Sequence, residues 1–170
     1  STLEEECEKV SKYVFPAGTS FVSSNVALPY SYKIKAYAPL IFSKIRSAAG
    51  IDKQRFLHSI CGKDSFIEFI SNAKSGQFFF YCHDGRYMIK TQTREEKNFL
   101  HQILPKYYRY TTDNPHSFVS HFYGMYRVKV PELKICTHFV IMKSVFNTRK
   151  EIHKIWDLKG STDGRRAERG

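Results

Sequence analysis

Apolar positions along this chain follow two periods in turn. Leu40, Ile41, Ile45 and Ala48 recur at helical spacing behind Pro39, and Gly50 stands past the last of them, so a helix with proline in its first turn is expected there. Asp52 then stands as cap to a second helix carrying Phe56, Leu57 and Ile60, with Gly62 as its stop. After that the period shortens. Phe66 to Ile70, Phe78 to Cys82 and Tyr87 to Thr91 are aromatic and β-branched runs set apart by turn residues, the pattern of an antiparallel meander. Asp84-Gly85 in its second connection suits a tight hairpin with positive φ. Thr93, three residues before Glu96, forms a capping box; the helix it opens shows Phe99, Leu100, Ile103 and Leu104 on its apolar face and is expected to end at Pro105. Beyond it Tyr126, Val128 and Val130 alternate with Arg127 and Lys129, and Ile135 to Met142 follows Pro131-Glu132-Leu133-Lys134: a second hairpin with one wetter face. The expected order is α, α, β, β, β, α, β, β, an α+β fold in which an antiparallel sheet carries flanking helices.

Composition adds charge to this picture. A chain of 170 residues with a 42% apolar and 25% charged share can support one core and is not disordered throughout. The aromatic share of 15% favours sheet. The longest apolar runs, Phe78 to Cys82 and Phe139 to Met142, fall far short of the ~20 residues that span a bilayer, so no transmembrane or secretory segment is expected. Cys7, Cys61, Cys82 and Cys136 form no CxxC pair and join no histidine cluster; four reduced core thiols and no structural metal are expected. Lys and Arg outnumber Asp and Glu by 27 to 16. Between Lys33 and Lys63 the cations Lys33, Lys35, Lys44, Arg46, Lys53, Arg55 and Lys63 face Asp52 alone, which suggests a polyanionic partner, though a merely solvated face fits the same block. The chain starts at Ser1 and stops at Gly170 inside a charged stretch, and reads as a piece of a longer protein.

The chemistry concentrates around the first hairpin. Its turn is Ala73-Lys74-Ser75-Gly76, its later strand ends in Met88-Ile89-Lys90, and the next helix bears Glu95 and Glu96. A small-residue turn lets backbone N–H groups approach phosphates, a strand lysine brings positive charge, and a helix glutamate holds that lysine, as in a kinase nucleotide-binding lobe. Each feature also has a plain reading: a turn, a solvent-facing lysine, and Glu96 as box partner of Thr93. No GxxxxGK[ST] phosphate loop is present, nor the His-Arg-Asp and Asp-Phe-Gly segments of protein kinases.

Ser75-Gly76-Gln77-Phe78-Phe79-Phe80, Met88-Ile89-Lys90-Thr91, Phe122-Tyr123-Gly124-Met125-Tyr126 and above all Trp156-Asp157-Leu158-Lys159-Gly160-Ser161-Thr162 resemble the phosphatidylinositol phosphate kinase family in order and spacing, from about Tyr37 to Ala167. The resemblance implies a kinase-like amino-terminal lobe over 37–142, an extension over 1–36, and a hinge and start of a catalytic-face segment over 143–170. It implies ATP contacts from Lys74, Ser75, Gly76 and Lys90, with Glu96 orienting Lys90 and Glu95 as the alternative. Met142, Lys143, Ser144 and Val145 would line the adenine, largely through backbone groups. Asp157 and Lys159 would be catalytic-face residues, and Arg165 would receive a substrate phosphate. ATP and Mg²⁺ are the implied cofactors. The implied reaction is phosphorylation of a phosphatidylinositol monophosphate headgroup, with a lean towards 5-kinases acting on phosphatidylinositol 4-phosphate from Arg165-Arg166-Ala167.

The implied location is cytoplasmic and peripheral at the cytosolic face of an anionic membrane, with homodimerisation open and no nucleic-acid partner. Ala73 and Gln77 stand where relatives usually carry Gly and Ser, and Lys143-Ser144 replaces a paired Asn. The family's Met-Asp-Tyr-Ser-Leu segment is missing, so the chain alone is expected to be inactive. The competing reading is a non-catalytic basic module, binding membrane or RNA on a degenerate kinase lobe.

Overall fold

The computed structural model describes residues 1–19, 27–61, 67–72 and 77–154, with the backbone alone for 67–72. Its elements are α1 (Leu3–Glu8), β1 (Val10–Phe15), β2 (Tyr32–Tyr37), α2 (Pro39–Ala48), α3 (Lys53–Cys61), β3 (Ile67–Asn72), β4 (Gln77–Cys82), β5 (Tyr87–Gln92), α4 (Arg94–Asp113), β6 (Phe122–Val130) and β7 (Ile135–Lys143). The seven strands form one sheet in the order β1-β2-β6-β7-β5-β4-β3, every neighbouring pair antiparallel. The α+β expectation therefore holds. The meander is β3-β4-β5 and the second hairpin is β6-β7, closed by the Pro131–Lys134 turn.

Local signals act where the sequence puts them. Pro39 occupies the first turn of α2, and Gly50 beyond its end adopts φ +68°. Asp52 Oδ1 accepts from the Arg55 N–H at 2.8 Å, capping α3. Gly85 takes φ +67° in the β4-β5 hairpin, where Asp84 Oδ1 also accepts from Ser59 Oγ and from the Arg86 N–H.

Three expectations need correction. The sheet begins ahead of residue 37: β1 and β2, read above as part of an extension, pair with each other, and β2 pairs with β6. Pro105 does not end α4, which runs on to Asp113. Proline removes one N–H from the helix ladder, and the turns beyond it are held by the burial of Tyr107 and Thr111. The thiols are not all in the core, since Cys7 and Cys82 are buried while Cys61 and Cys136 are exposed; all four are free.

The core gathers where α2, α3 and α4 meet the middle of the sheet. Ile41, Phe42 and Ile45 of α2 lie with Leu100, Leu104 and Tyr107 of α4 and with Met125, Val140 and Ile141 of the central strands. Arg46, counted above in the basic block, belongs to this packing. Its guanidinium donates to the Tyr123 carbonyl and lies 4.9 Å from the Phe56 ring centroid. The remaining structural fact that positions the site is the sheet's two-sidedness. On one face β1, β2, β6, β7 and β5 present Lys12, Lys33, Lys35, Arg127, Lys129 and Lys90 beside the buried Tyr37, Met125 and Val140, which stand in register with Lys90; on the other face they present Tyr13, Ile34, Val128, Phe139 and Ile89. Arg127 and the exposed Lys129 give the β6-β7 hairpin its wetter side, at the end of the lysine-bearing face away from the buried Met125 and Val140.

Candidate functional site

One residue, Thr93, separates the end of β5 from the start of α4. Its hydroxyl accepts from the Glu96 N–H at 3.1 Å and its own N–H donates to Glu96 Oε2 at 2.9 Å, a complete capping box. That box aims the Glu96 carboxylate back over β5. Oε1 accepts from Lys90 Nζ at 3.2 Å, and Oε2 also accepts from the Gln77 amide at 2.5 Å. The box role and the lysine-holding role, set against each other in the sequence, are thus performed by different oxygens of one carboxylate. Glu95 is exposed and forms no ion pair among the described residues.

Burial by itself pushes the Glu96 carboxyl upward, but the hydrogen bonds from Gln77, Thr93 and Lys90 together with the Lys90 charge outweigh it and hold the group below the usual carboxylate range. Glu96 is therefore an anion at neutral pH. Lys90 Nζ has three N–H donors, of which Glu96 uses one; it also lies 6.0 Å from the Phe79 ring centroid. The remaining donors are left for another anion.

A cavity of about 320 Å³ opens beside this pair. Lys90, Gln92 and Glu96 supply its polar wall, and Leu100, Val140 and Met142 its apolar one. A second cavity, about 270 Å³, is lined by Lys143, Ser144 and Val145 and shares Ser120 with the first. Between them the segment 142–145 is locked by backbone bonds. The Lys143 N–H donates to the His121 carbonyl and the Ser144 N–H to the Arg86 carbonyl, both at 2.9 Å, and the buried Ser144 Oγ accepts from the Phe146 N–H at 3.2 Å. Burial, reinforced by the nearby Lys143 charge, keeps the His121 imidazole below its ordinary range and so neutral.

The structure thus brings together Lys90, Glu96 and Met142, and places Lys143, Ser144 and Val145 at the adjoining cavity. Lys74, Ser75, Gly76, Asp157, Lys159 and Arg165 lie outside the described residues. Two contributors were not foreseen. Gln77, noted only for standing in place of Ser, anchors Glu96; its position opposite Asn72, beside the turn, was the available signal. Tyr107 ties α4 to the strand bordering both cavities, its hydroxyl donating to the Ser120 carbonyl at 2.8 Å and accepting from the Phe122 N–H at 2.7 Å.

A sequence model of phosphatidylinositol-4-phosphate 5-kinase matches residues 60–170. The chain belongs to the phosphatidylinositol-4-phosphate 5-kinase family. Among its relatives, phosphatidylinositol 4-phosphate 5-kinase its3 of Schizosaccharomyces pombe is 42% identical over 137 residues, 80% of this chain and 18% of the relative. Phosphatidylinositol 4-phosphate 5-kinase 7 of Arabidopsis thaliana is 36% identical over 159 residues, 93% of this chain and 21% of the relative. A probable phosphatidylinositol phosphate kinase of Dictyostelium discoideum is 38% identical over 165 residues, 91% of this chain and 23% of the relative. The chain therefore spans about a fifth of the length of these curated relatives. Within the family match lie both members of the Lys90–Glu96 pair and the segment 142–145.

Proposed function

We propose that this chain carries the nucleotide-gripping lobe of a lipid kinase that transfers the γ-phosphate of ATP to a phosphatidylinositol monophosphate, phosphatidylinositol 4-phosphate giving the 4,5-bisphosphate. The observation that carries this reading is the Lys90–Glu96 ion pair at the rim of a cavity that ends against Met142. The names of the relatives support the choice of substrate.

In the transfer, a headgroup hydroxyl oxygen bonds to the γ-phosphorus, the bond from that phosphorus to the β–γ bridging oxygen breaks, and the hydroxyl proton passes to a general base or to solvent water. Negative charge moves onto the departing β-phosphate. Lys90 is placed to neutralise phosphate charge, and Glu96 fixes its ammonium so that little reorganisation is needed during transfer. Adenine lies along 143–145. The Lys143 and Ser144 N–H groups are spent on His121 and Arg86, and the Val145 N–H has no acceptor among the described residues, so Val145 offers the edge contact. Following the resemblance, Lys74, Ser75 and Gly76 cover the phosphates, Asp157 and Lys159 belong to the catalytic face, and Arg165 grips the phosphate already on the substrate.

Mg²⁺ finds no ligand set among the described residues. No group of three His, Cys, Asp or Glu is arranged to hold a cation there, and Glu96 is committed to Lys90, Gln77 and Thr93. Asp157 is the residue of the resemblance left for that task. No described helix is long and apolar enough to cross a membrane; the enzyme reaches its lipid peripherally, at an anionic cytosolic surface, through exposed cations such as Lys44, Lys53 and Arg55.

The test is Lys90→Met in the full-length protein, assayed with radiolabelled ATP and phosphatidylinositol 4-phosphate vesicles. Turnover should vanish while thermal stability stays matched. Activity within a few-fold of wild type would overturn the assignment.

A further inference from the structure

The β4-β5 ladder pairs Tyr81 with Met88, Phe80 with Ile89 and Phe79 with Lys90, and its register ends there. Yet β4 begins two residues earlier, at Gln77, and β5 runs two residues further, to Gln92. Beyond Phe79 and Lys90 the sheet divides. The end of β4 stays paired with β3, Gln77 opposite Asn72, while the end of β5 stays paired with β7, Gln92 opposite His138. A cavity of about 460 Å³ opens along this division, lined from one side by Gln77 and Phe78 and from the other by Thr91, Gln92, Thr93 and Arg94. Lys90 therefore stands at the last point where β5 is still held by β4 through the ladder.

Two side-chain contacts cross the division. The Phe78 N–H donates to Thr91 Oγ1 at 2.8 Å, and the Gln77 side-chain amide donates to Glu96 Oε2 at 2.5 Å. The second bears directly on Lys90. Glu96 Oε2 accepts from both the Thr93 N–H and the Gln77 amide, while Oε1 accepts from Lys90 Nζ. The last torsion of a glutamate is soft, so a carboxylate tied only to its own helix start can turn its free oxygen away from a lysine. A second donor from another strand removes that freedom. Burial works to raise the Glu96 carboxyl, and of the contacts that outweigh burial the Gln77 amide is the strongest. Being neutral, the amide fixes the carboxylate without setting a second charge beside Lys90.

We propose that Gln77 is a positioning residue for nucleotide binding: by tying the end of β4 to Glu96 across the divided sheet, it fixes the carboxylate that holds Lys90 and so the direction of the Lys90 donors left for a phosphate. The proposal rests on the reading of Lys90 as an ATP ligand. Its plain rival is a half-buried glutamine that fills the mouth of the cavity. The two differ in what the side chain must supply. A filler needs length and bulk, whereas the positioning role needs an N–H donor aimed at Glu96 Oε2.

The test uses the full-length protein and reads kcat, the KM for ATP and the KM for phosphatidylinositol 4-phosphate vesicles in Gln77→Met and Gln77→Glu, with Lys90→Met alongside. Gln77→Met keeps length and bulk but loses the donor. It should raise the ATP KM roughly tenfold, leave the lipid KM within about twofold, and hold Tm within about 4 °C of wild type. Gln77→Glu keeps the shape and sets a second carboxylate against Glu96, where it repels the first and competes for Lys90, so it should raise the ATP KM further than Gln77→Met does. A double-mutant cycle on binding of the non-hydrolysable ATP analogue AMP-PNP isolates the contact. Gln77→Met should weaken binding roughly tenfold in the wild-type background and no further in Glu96→Ala, because both changes break one bond. An unchanged ATP KM in Gln77→Met would overturn the proposal, as would equal rises in the two KM values, a Gln77→Glu variant no worse than Gln77→Met, or additive losses in the cycle. If Lys90→Met abolishes turnover while Gln77→Met changes nothing, the positioning role alone falls. If Lys90→Met stays within a few-fold of wild type, the ATP reading falls and takes the positioning role with it.

Discussion

Lys90 and Glu96 meet at 3.2 Å across the junction of β5 and α4, and the carboxylate that holds the lysine also closes the capping box of its own helix. Because Thr93 is the whole connection, the pair is ordered by local chemistry and little loop entropy opposes it. The lysine's position is thereby tied to the start of α4, so a shift of that helix would move its charge. Gln77 adds a third element to the junction, from β4.

Lys90→Met should therefore separate activity from stability. Its side chain is a quarter exposed and that of Glu96 more than a third, so the ion pair contributes only about 0–1 kcal/mol to folding. Loss of a preorganised charge at the phosphates costs about 100-fold or more in turnover. Paired measurements of Tm and ATP-dependent lipid phosphorylation check both halves, and a large fall in Tm would move Lys90 from a ligand role to a structural one.

Glu96→Gln should lose stability in a pH-dependent way. The folded-state carboxyl is held below its unfolded value, so its contribution is fully present above the unfolded pKa of about 4.3 and is lost as pH falls through the lowered folded value. Gln can still close a capping box. The wild-type advantage over Glu96→Gln in urea unfolding should thus be present at neutral pH and shrink below about pH 4. An advantage that grew on acidification would contradict the ionised, lysine-holding role. Glu96→Ala, which also removes the box, should cost about 0.5–2 kcal/mol at neutral pH.

Most of the central fold was legible because its signals are local: the Asp84-Gly85 hairpin, the Thr93–Glu96 box, and Pro39 and Gly50 around α2. The Lys90–Glu96 pair was legible for the same reason, its members lying six residues apart. What the sequence hid is non-local. β1 and β2 are short lysine-bearing strands; β2 is placed by pairing with β6, about ninety residues on, and β1 by pairing with β2. The row through Lys12, Lys35, Arg127 and His138 exists only once that register is known, although Lys33-Ile34-Lys35 and Arg127-Val128-Lys129 each show the alternation that generates it. Pro105 misled because proline is a stop signal only where nothing beyond it is buried; Tyr107 and Thr111 are.

Retention on vesicles should rise with anionic lipid and fall with salt. Of the helical cations, Arg46 is turned inward onto Phe56 and the Tyr123 carbonyl, while Lys44, Lys53 and Arg55 are exposed. Each exposed cation near an anionic surface contributes about 1 kcal/mol, and the attraction fades beyond a Debye length of about 8 Å at physiological salt. Combined Lys44→Gln, Lys53→Gln and Arg55→Gln should cut sedimentation with phosphatidylserine vesicles by roughly tenfold or more. Equal retention of wild type on neutral and anionic vesicles would defeat the surface role.

Tyr107→Phe should loosen the structure around both cavities. The Tyr107 hydroxyl serves the Ser120 carbonyl and the Phe122 N–H at once, and Ser120 borders both cavities. Removing the oxygen leaves a backbone donor and an acceptor without their partner, at a cost of about 1–3 kcal/mol. The change also carries its own pH signature. Burial pushes the Tyr107 phenol up to about 12, against the Phe122 N–H, which pulls it down. A phenol whose folded pKa exceeds the unfolded value of about 10 stays neutral in the fold while the unfolded chain ionises, so stability falls as pH rises above about 10. Tyr107→Phe removes that group from the linkage. The variant should be less stable than wild type at neutral pH, and the gap should narrow on going to alkaline pH. Urea unfolding at both pH values measures it, and a gap that stayed constant would mean that the Tyr107 hydroxyl is not buried between Ser120 and Phe122 in solution.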